Sequence, residues 1–118
     1  ADVELTDIMA KLGKVERERN GKGKRRFVKG YREVLRGLRA DKVKLVILGN
    51  NPEESDGALE DKLKEMLEAA AEKGRAVWTG WSRRQVGKRI GKSIKVGAVG
   101  VEDFLGAERE WKLFKKKW

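Results

Sequence analysis

The sequence predicts an α/β fold, a three-layer α/β/α sandwich with a small mixed central sheet. Segments whose apolar residues recur at spacings of three and four alternate along the chain with short runs rich in valine and isoleucine. One such run, residues 43–48, is apolar almost throughout, as suits a strand covered on both faces. A length of 118 residues with 39% apolar content provides one core and leaves no room for a second domain.

Each element has its own signal. Val3, Leu5, Ile8, Leu12 and Val15 form one stripe, predicting a helix over about 3–15 with Thr6 or Asp2 available as its cap. Residues 16–24 turn polar and glycine-rich and read as a connector. Tyr31, Val34, Leu35 and Leu38 predict a helix over 29–39, with Arg32, Arg36 and Arg39 projecting elsewhere. The strand at 43–48 ends in the turn signal Gly49-Asn50-Asn51-Pro52. Leu59, Leu63, Met66, Leu67, Ala70 and Ala71 predict a helix over 56–73 that stops at Gly74 and carries acidic residues on its outer face. Residues 75–79 form a second candidate strand, and Ser82 caps a short helix reaching Ile90. Residues 94–101 alternate as a third strand. A last helix from about 101 or 102 turns Phe104, Leu105, Trp111 and Phe114 inward.

Charge narrows the function. With 29 Lys and Arg against 19 Asp and Glu, the formal charge is +10, which favours a polyanionic partner. The excess is uneven: residues 21–50 carry ten basic and two acidic side chains, and residues 75–95 carry seven basic and none acidic. Between them, residues 51–74 carry three basic and eight acidic ones. Cysteine and histidine are both absent, which removes thiolate and imidazole metal sites, a cysteine nucleophile and the commonest general base. The chain is accordingly expected not to be an enzyme and to need no cofactor, metal or small-molecule substrate. No apolar run approaches the ~18 residues that span a bilayer. The N-terminus, Ala1-Asp2-Val3-Glu4, is acidic where a targeting peptide would be basic. These features predict an intracellular protein, cytoplasmic rather than organellar, that does not use a membrane.

Several motifs carry little. Gly87-Lys88-Arg89-Ile90-Gly91-Lys92-Ser93 has three residues between its glycines where a P-loop has four, and it falls at the end of a helix. Glu53, Glu54 and Asp56 have no spacing that builds a metal or acid–base site and read as solvated loop charges. Tryptophan mostly fills cores. Of Trp78, Trp81, Trp111 and Trp118, only Trp81, beside Arg83 and Arg84, is a candidate for stacking on a base.

Residues 22–36 differ in kind. Gly30 opens an amphipathic helix, where free backbone N–H groups and the positive dipole end attract phosphate. Arg32 and Arg36, four apart, share one polar face within reach of phosphates or a guanine edge. Glu33 stands alone among these cations. It reads either as an acceptor for a base amino group or as a clamp on a neighbouring arginine.

Gly30-Tyr31-Arg32-Glu33-Val34-Leu35-Arg36, followed by Lys44-Leu45-Val46-Ile47-Leu48 and the Asn50-Asn51 turn, resembles the kink-turn RNA-binding superfamily of ribosomal proteins L-seven-Ae and L-thirty-e. Asp56-Gly57-Ala58-Leu59, Ser82-Arg83-Arg84-Gln85-Val86-Gly87-Lys88, Val96-Gly97-Ala98-Val99-Gly100-Val101 and Gly106-Ala107 resemble its SECIS-binding branch most. The resemblance spans residues 24–114, between an N-terminal helix and basic connector at 1–23 and a basic tail at 115–118. It implies an RNA-binding α/β/α domain that grips sheared G·A pairs within a ribonucleoprotein. The partner would be structured RNA with a kink-turn, ribosomal RNA or a SECIS element, alongside other ribonucleoprotein components.

Carried over by position, Gly30, Arg32, Glu33 and Arg36 would lie at the RNA face, and Lys24, Arg25, Arg26, Lys29, Arg83, Arg84 and Lys88 of the two basic blocks are candidate RNA-binding residues beside them. Lys92, Ser93, Ile94, Lys95 and Val96 would form the family's apolar loop against a flipped-out nucleotide. Many kink-turn binders have Asn and Lys where Arg32 and Arg36 stand, and Lys95 replaces a proline of the SECIS-binding branch. A rival expectation is a protein-interaction module that docks a basic partner through Glu60, Asp61, Glu65 and Glu68 of the acidic helix.

Overall fold

A computed structural model describes residues 2–50 and 57–117. The Asn51-Pro52 turn, the charges of Glu53, Glu54 and Asp56, and Trp118 lie outside them.

The first helix, α1 (Asp2–Arg19), buries Leu5, Ile8, Met9 and Leu12 along one side. It outruns the expected end because Glu16 and Arg19 pair across a turn at 2.8 Å, and it stops where Asn20 and Gly21 take positive φ of 50° and 78°. Thr6 therefore lies inside the helix and is not its cap. Val3 is 73% exposed and falls off the buried stripe. A strand that the sequence reading missed, β1 (Phe27–Lys29), follows. Three residues are too few to show a period, and the strand is created by pairing with β4 (Ala98–Val101). Gly30, at φ 97°, turns the chain into α2 (Tyr31–Arg39), where Val34 and Leu38 are buried. The remaining elements are β2 (Leu45–Asn50), α3 (Gly57–Glu72), β3 (Ala76–Ser82), α4 (Arg83–Arg89) and α5 (Glu108–Lys117).

The sheet has the order β1-β4-β2-β3, with β2 and β3 parallel and the other pairs antiparallel, so it is mixed as expected. Side-chain alternation along β2 sorts the layers. Leu45 and Ile47 join Val99, Val101, Phe104 and Phe114 against α1, α4 and α5. Val46 and Leu48 join Val34, Leu38, Met66 and Ala70 against α2 and α3. The expected α/β/α sandwich is the observed fold.

Several boundaries and faces are corrected. The third predicted strand begins at Ala98, and Ile94 is 59% exposed in the loop before it. On α3, Leu67 and Ala71 face solvent while Ala69 is buried, because contact with α2 and the sheet covers a narrower stripe than the apolar pattern offers. The last helix starts only at Glu108. Gly106 takes φ 107°, and its N–H donates to Glu108 Oε1 at 2.6 Å. Leu105, on this turn, is 57% exposed, whereas Phe104 is buried and stacks on Trp111 with ring centroids 4.0 Å apart.

Trp81 is also corrected. The register between β2 and β3 shifts by one residue, so that Ile47 pairs with Trp78 and Gly49 with Trp81. That extra residue turns both tryptophans to the same face, where they meet edge to face with centroids 6.3 Å apart. Trp81 is 3% exposed, beneath the Arg89 guanidinium at 5.2 Å, and is unavailable for stacking on a base.

Candidate nucleic-acid interface

Topology collects the candidate residues at one end of the sheet. Register pairs Lys29 with Val99, Leu48 with Ala98, and Asn50 with Ser82. The C-terminal ends of β1, β2 and β3 therefore lie beside the start of β4, together with the N-termini of α2 and α4 and the loop 91–97. In α/β sheets, such strand ends are the usual place for ligands.

Three glycines allow these segments to close up. A Cβ on Gly49 would stand 2.7 Å from Arg83 Cα and 2.9 Å from Val96 O, so the end of β2 can touch both α4 and the loop only without a side chain. A Cβ on Gly87 would stand 1.9 Å from Ile94 O, which seats the loop directly on α4. At Gly97 it would meet the Tyr31 ring, with the hydroxyl oxygen at 2.5 Å, joining the loop to α2. Hydrogen bonds fix the same contacts: Val96 N–H donates to Arg83 O at 3.0 Å, Gly49 N–H to Gly97 O at 2.8 Å, and Gly30 N–H to Ala98 O at 2.9 Å. Ser82 caps α4 as expected, accepting from Gln85 N–H at 3.1 Å while Gln85 Oε1 accepts from Ser82 N–H at 2.9 Å. The Asn50 amide at this end donates to Thr79 O; the sequence showed Asn50 only as part of a turn.

The two basic stretches meet here. Lys29 and Glu33 from the first and Lys92 from the second line one open cleft of about 420 Å³, with Arg25, Ile90 and Glu16. Both carboxylates are engaged within the protein. Glu33 pairs with Arg36 at 3.4 Å. Glu16 accepts from Arg19 Nε at 2.8 Å and from Arg26 N–H at 2.6 Å. Arg32, Arg36 and Arg39 flank an open surface along α2. Lys92, Ser93, Ile94 and Lys95 are exposed on the loop, Arg84 and Lys88 are exposed on α4, and Arg83 is half-buried.

Three candidates are placed differently. Arg26 is only 9% exposed, its guanidinium donating to Leu105 O at 2.9 Å and to Lys24 O at 2.5 Å. It ties the start of β1 to the turn before α5 and is withdrawn from the candidate face. Val96 is buried in the core below the loop. Lys24 opens onto a separate cleft at the other end of the sheet, with Lys42, Lys44, Asp41 and Asp103. Arg25 borders both clefts and is held by Glu102 at 2.8 Å.

Among the described residues, no cluster of His, Cys, Asp and Glu is arranged to hold a metal, and no helix is long and apolar enough to cross a membrane. The candidate site is a basic surface at the edge of an α/β/α sandwich. No protein-family model matches the chain. Its fold is that of the Giardia lamblia 15.5kD RNA binding protein, with a TM-score of 0.74 at 15% identity over 98% of this chain and 85% of that one. A Bacillus halodurans protein of unknown function also shares it, with a TM-score of 0.65 at 21% identity over 93% and 98% of the two chains.

More particularly, the chain is a homologue of one segment of selenocysteine insertion sequence-binding protein 2, being 34% identical to the Rattus norvegicus protein over 92 residues. It is also 33% identical over 89 residues to the Homo sapiens selenocysteine insertion sequence-binding protein 2-like. These alignments cover 76% and 74% of this chain but 11% and 8% of the relatives' lengths. The resemblance read from the motifs is thus borne out.

Proposed function

We propose that the chain is a non-enzymatic RNA-binding domain that recognises a kink-turn, with its sheared G·A pairs, inside an intracellular ribonucleoprotein. The observation that carries this reading is the convergence of Lys29, Glu33 and Lys92 on one cleft along the edge strand β1. Gly30 supports it: at φ 97° and with no side-chain cap on α2, it leaves the first-turn N–H groups open to a phosphate. Glu33, paired with Arg36, would accept from a guanine amino group, while the surrounding cations would neutralise backbone phosphates. Ile94, exposed on the loop, offers apolar area to an unstacked nucleotide. A rigid bent RNA presents crowded phosphates and unpaired base edges, so a surface of matching shape selects it without chemistry. Between the two RNA classes weighed from the sequence, homology to the selenocysteine insertion sequence-binding proteins favours a SECIS element over ribosomal RNA.

The test compares a kink-turn RNA with an unkinked duplex of the same length. Glu33→Ala should weaken the kink-turn complex by roughly tenfold or more, since a base contact contributes about 1–3 kcal/mol of discrimination. It should leave duplex binding nearly unchanged, while Arg36→Ala weakens both. Equal losses on the two RNAs for Glu33→Ala would reduce the interaction to charge attraction. Crosslinking in cells followed by sequencing of the attached RNA then separates selenoprotein messages from ribosomal RNA.

A further inference from the structure

A second basic surface lies beyond the cleft, where α1 passes the end of α4. Arg17, Lys88 and Arg89 line an open groove there of about 250 Å³, together with Thr6 and Gly91, and among the described residues no carboxylate borders it. Arg17 projects from α1 over the turn that follows α4: a Cβ built on Gly91 would lie 3.4 Å from its Nη1. Gly91 takes φ 78°, so this open backbone is characteristic of glycine. Among the described residues neither Arg17 nor Lys88 has an ion-pair partner. Arg89 lies across Trp81, which holds its guanidinium in place.

The groove continues the cleft. Ile90 and Lys92 border the cleft, while Arg89 and Gly91 border the groove, and adjacent residues of α1 serve both, Glu16 the one and Arg17 the other. A line of cations thus runs from Lys29 at the end of β1 through Lys92 to Arg17 and Lys88. Its groups are ammonium point charges and guanidinium forks, which bind phosphate oxygens, and contacts to the backbone carry no sequence information.

We infer that the α1–α4 seam is a second phosphate-binding surface, which takes the backbone of a helical arm leading away from the bend. The inference rests on the RNA-binding reading and extends the interface to α1, a helix outside the segment that carries the family resemblance. It assigns Arg17 a role in affinity and none in choosing the bend.

The full chain and its Arg17→Gln, Arg17→Lys and Arg17→Gln/Lys88→Gln variants would be titrated with two kink-turn RNAs. These share the same bend, but one has long flanking arms and the other has arms trimmed to a few base pairs. On the long-armed RNA the double variant should bind roughly tenfold more weakly, and the slope of log affinity against log salt should flatten by about 0.7–0.9 per lost phosphate contact. Arg17→Lys should keep most of the affinity and slope, and the trimmed RNA should bind the parent chain and the two single Arg17 variants alike. Unchanged binding of the long-armed RNA by the double variant would overturn the inference. So would an equal loss on both RNAs for Arg17→Gln, which would assign Arg17 to the bend or to folding; thermal melts of each variant separate those two. If the parent chain does not prefer either kinked RNA to a straight duplex, the RNA-bend reading itself falls, a result visible before any variant is compared.

Discussion

At the residue scale, the side chains that build the interface divide into those that touch a ligand and those that permit the approach. Gly87 is of the second kind, and its role follows from distance alone. With backbone oxygen 1.9 Å from where a Cβ would stand, Gly87→Ala must displace the loop that carries Ser93 and Ile94. The expected loss is about 1–3 kcal/mol, typical of overpacking, read as a lower urea midpoint with weaker RNA binding. Glu33 was legible as an oddity because a carboxylate weakens a basic patch unless it has a partner, and Arg36 three residues on is that partner. Arg26 was not legible. Its neighbours Arg25 and Lys24 are exposed, and nothing local reveals that the carbonyl of Leu105, 79 residues away, accepts from its guanidinium.

At the element scale, helices were easier to read than strands. α2 follows from apolar spacing and α4 from its Ser82 cap, whereas β1 and the bulge in β3 exist through pairing partners distant in sequence. The turn between α2 and β2 shows how such contacts stabilise a join. Asp41, at φ 59°, binds Arg75 just before β3 at 2.9 Å, and that hydrogen bond and charge lower its pKa from the ordinary 3.8. A depressed carboxylate pKa stabilises the fold above the unfolded value and loses that contribution as pH falls through the folded one. Arg75→Gln should therefore unfold at lower urea than the parent chain at pH 5, and the two midpoints should converge well below pH 3.8. The pair is exposed, so the difference is small and shrinks further in salt. Equal midpoints at both pH values would remove Asp41 from the account.

At the scale of the whole molecule, α1 belongs to the same core as the sheet. Leu5, Ile8, Met9 and Leu12 pack with Val99, Val101 and Phe114, and Lys11 bonds Glu110 of α5. Leu12→Ala should cost about 2–5 kcal/mol in a urea titration, as a fully buried leucine does, and a surface-like value below 0.5 would mean the helix is dispensable. Binding should also show the signature of the whole basic surface: with about four to six phosphates neutralised, log affinity falls with log salt at roughly −0.7 to −0.9 per phosphate. A slope near zero would exclude a backbone-contacting polyanion.

By itself the amino-acid order determined the layer architecture, the charge blocks and the absence of histidine and cysteine chemistry, because periodicity and composition are local properties that survive any arrangement in space. Only the tertiary structure decided that Lys29, Glu33 and Lys92 share a cleft, that Trp81 and Arg26 turn inward, and that Arg17 joins the basic surface. Each of those outcomes depends on strand register and on glycines that let distant backbones touch, and neither leaves a trace within a few neighbouring residues.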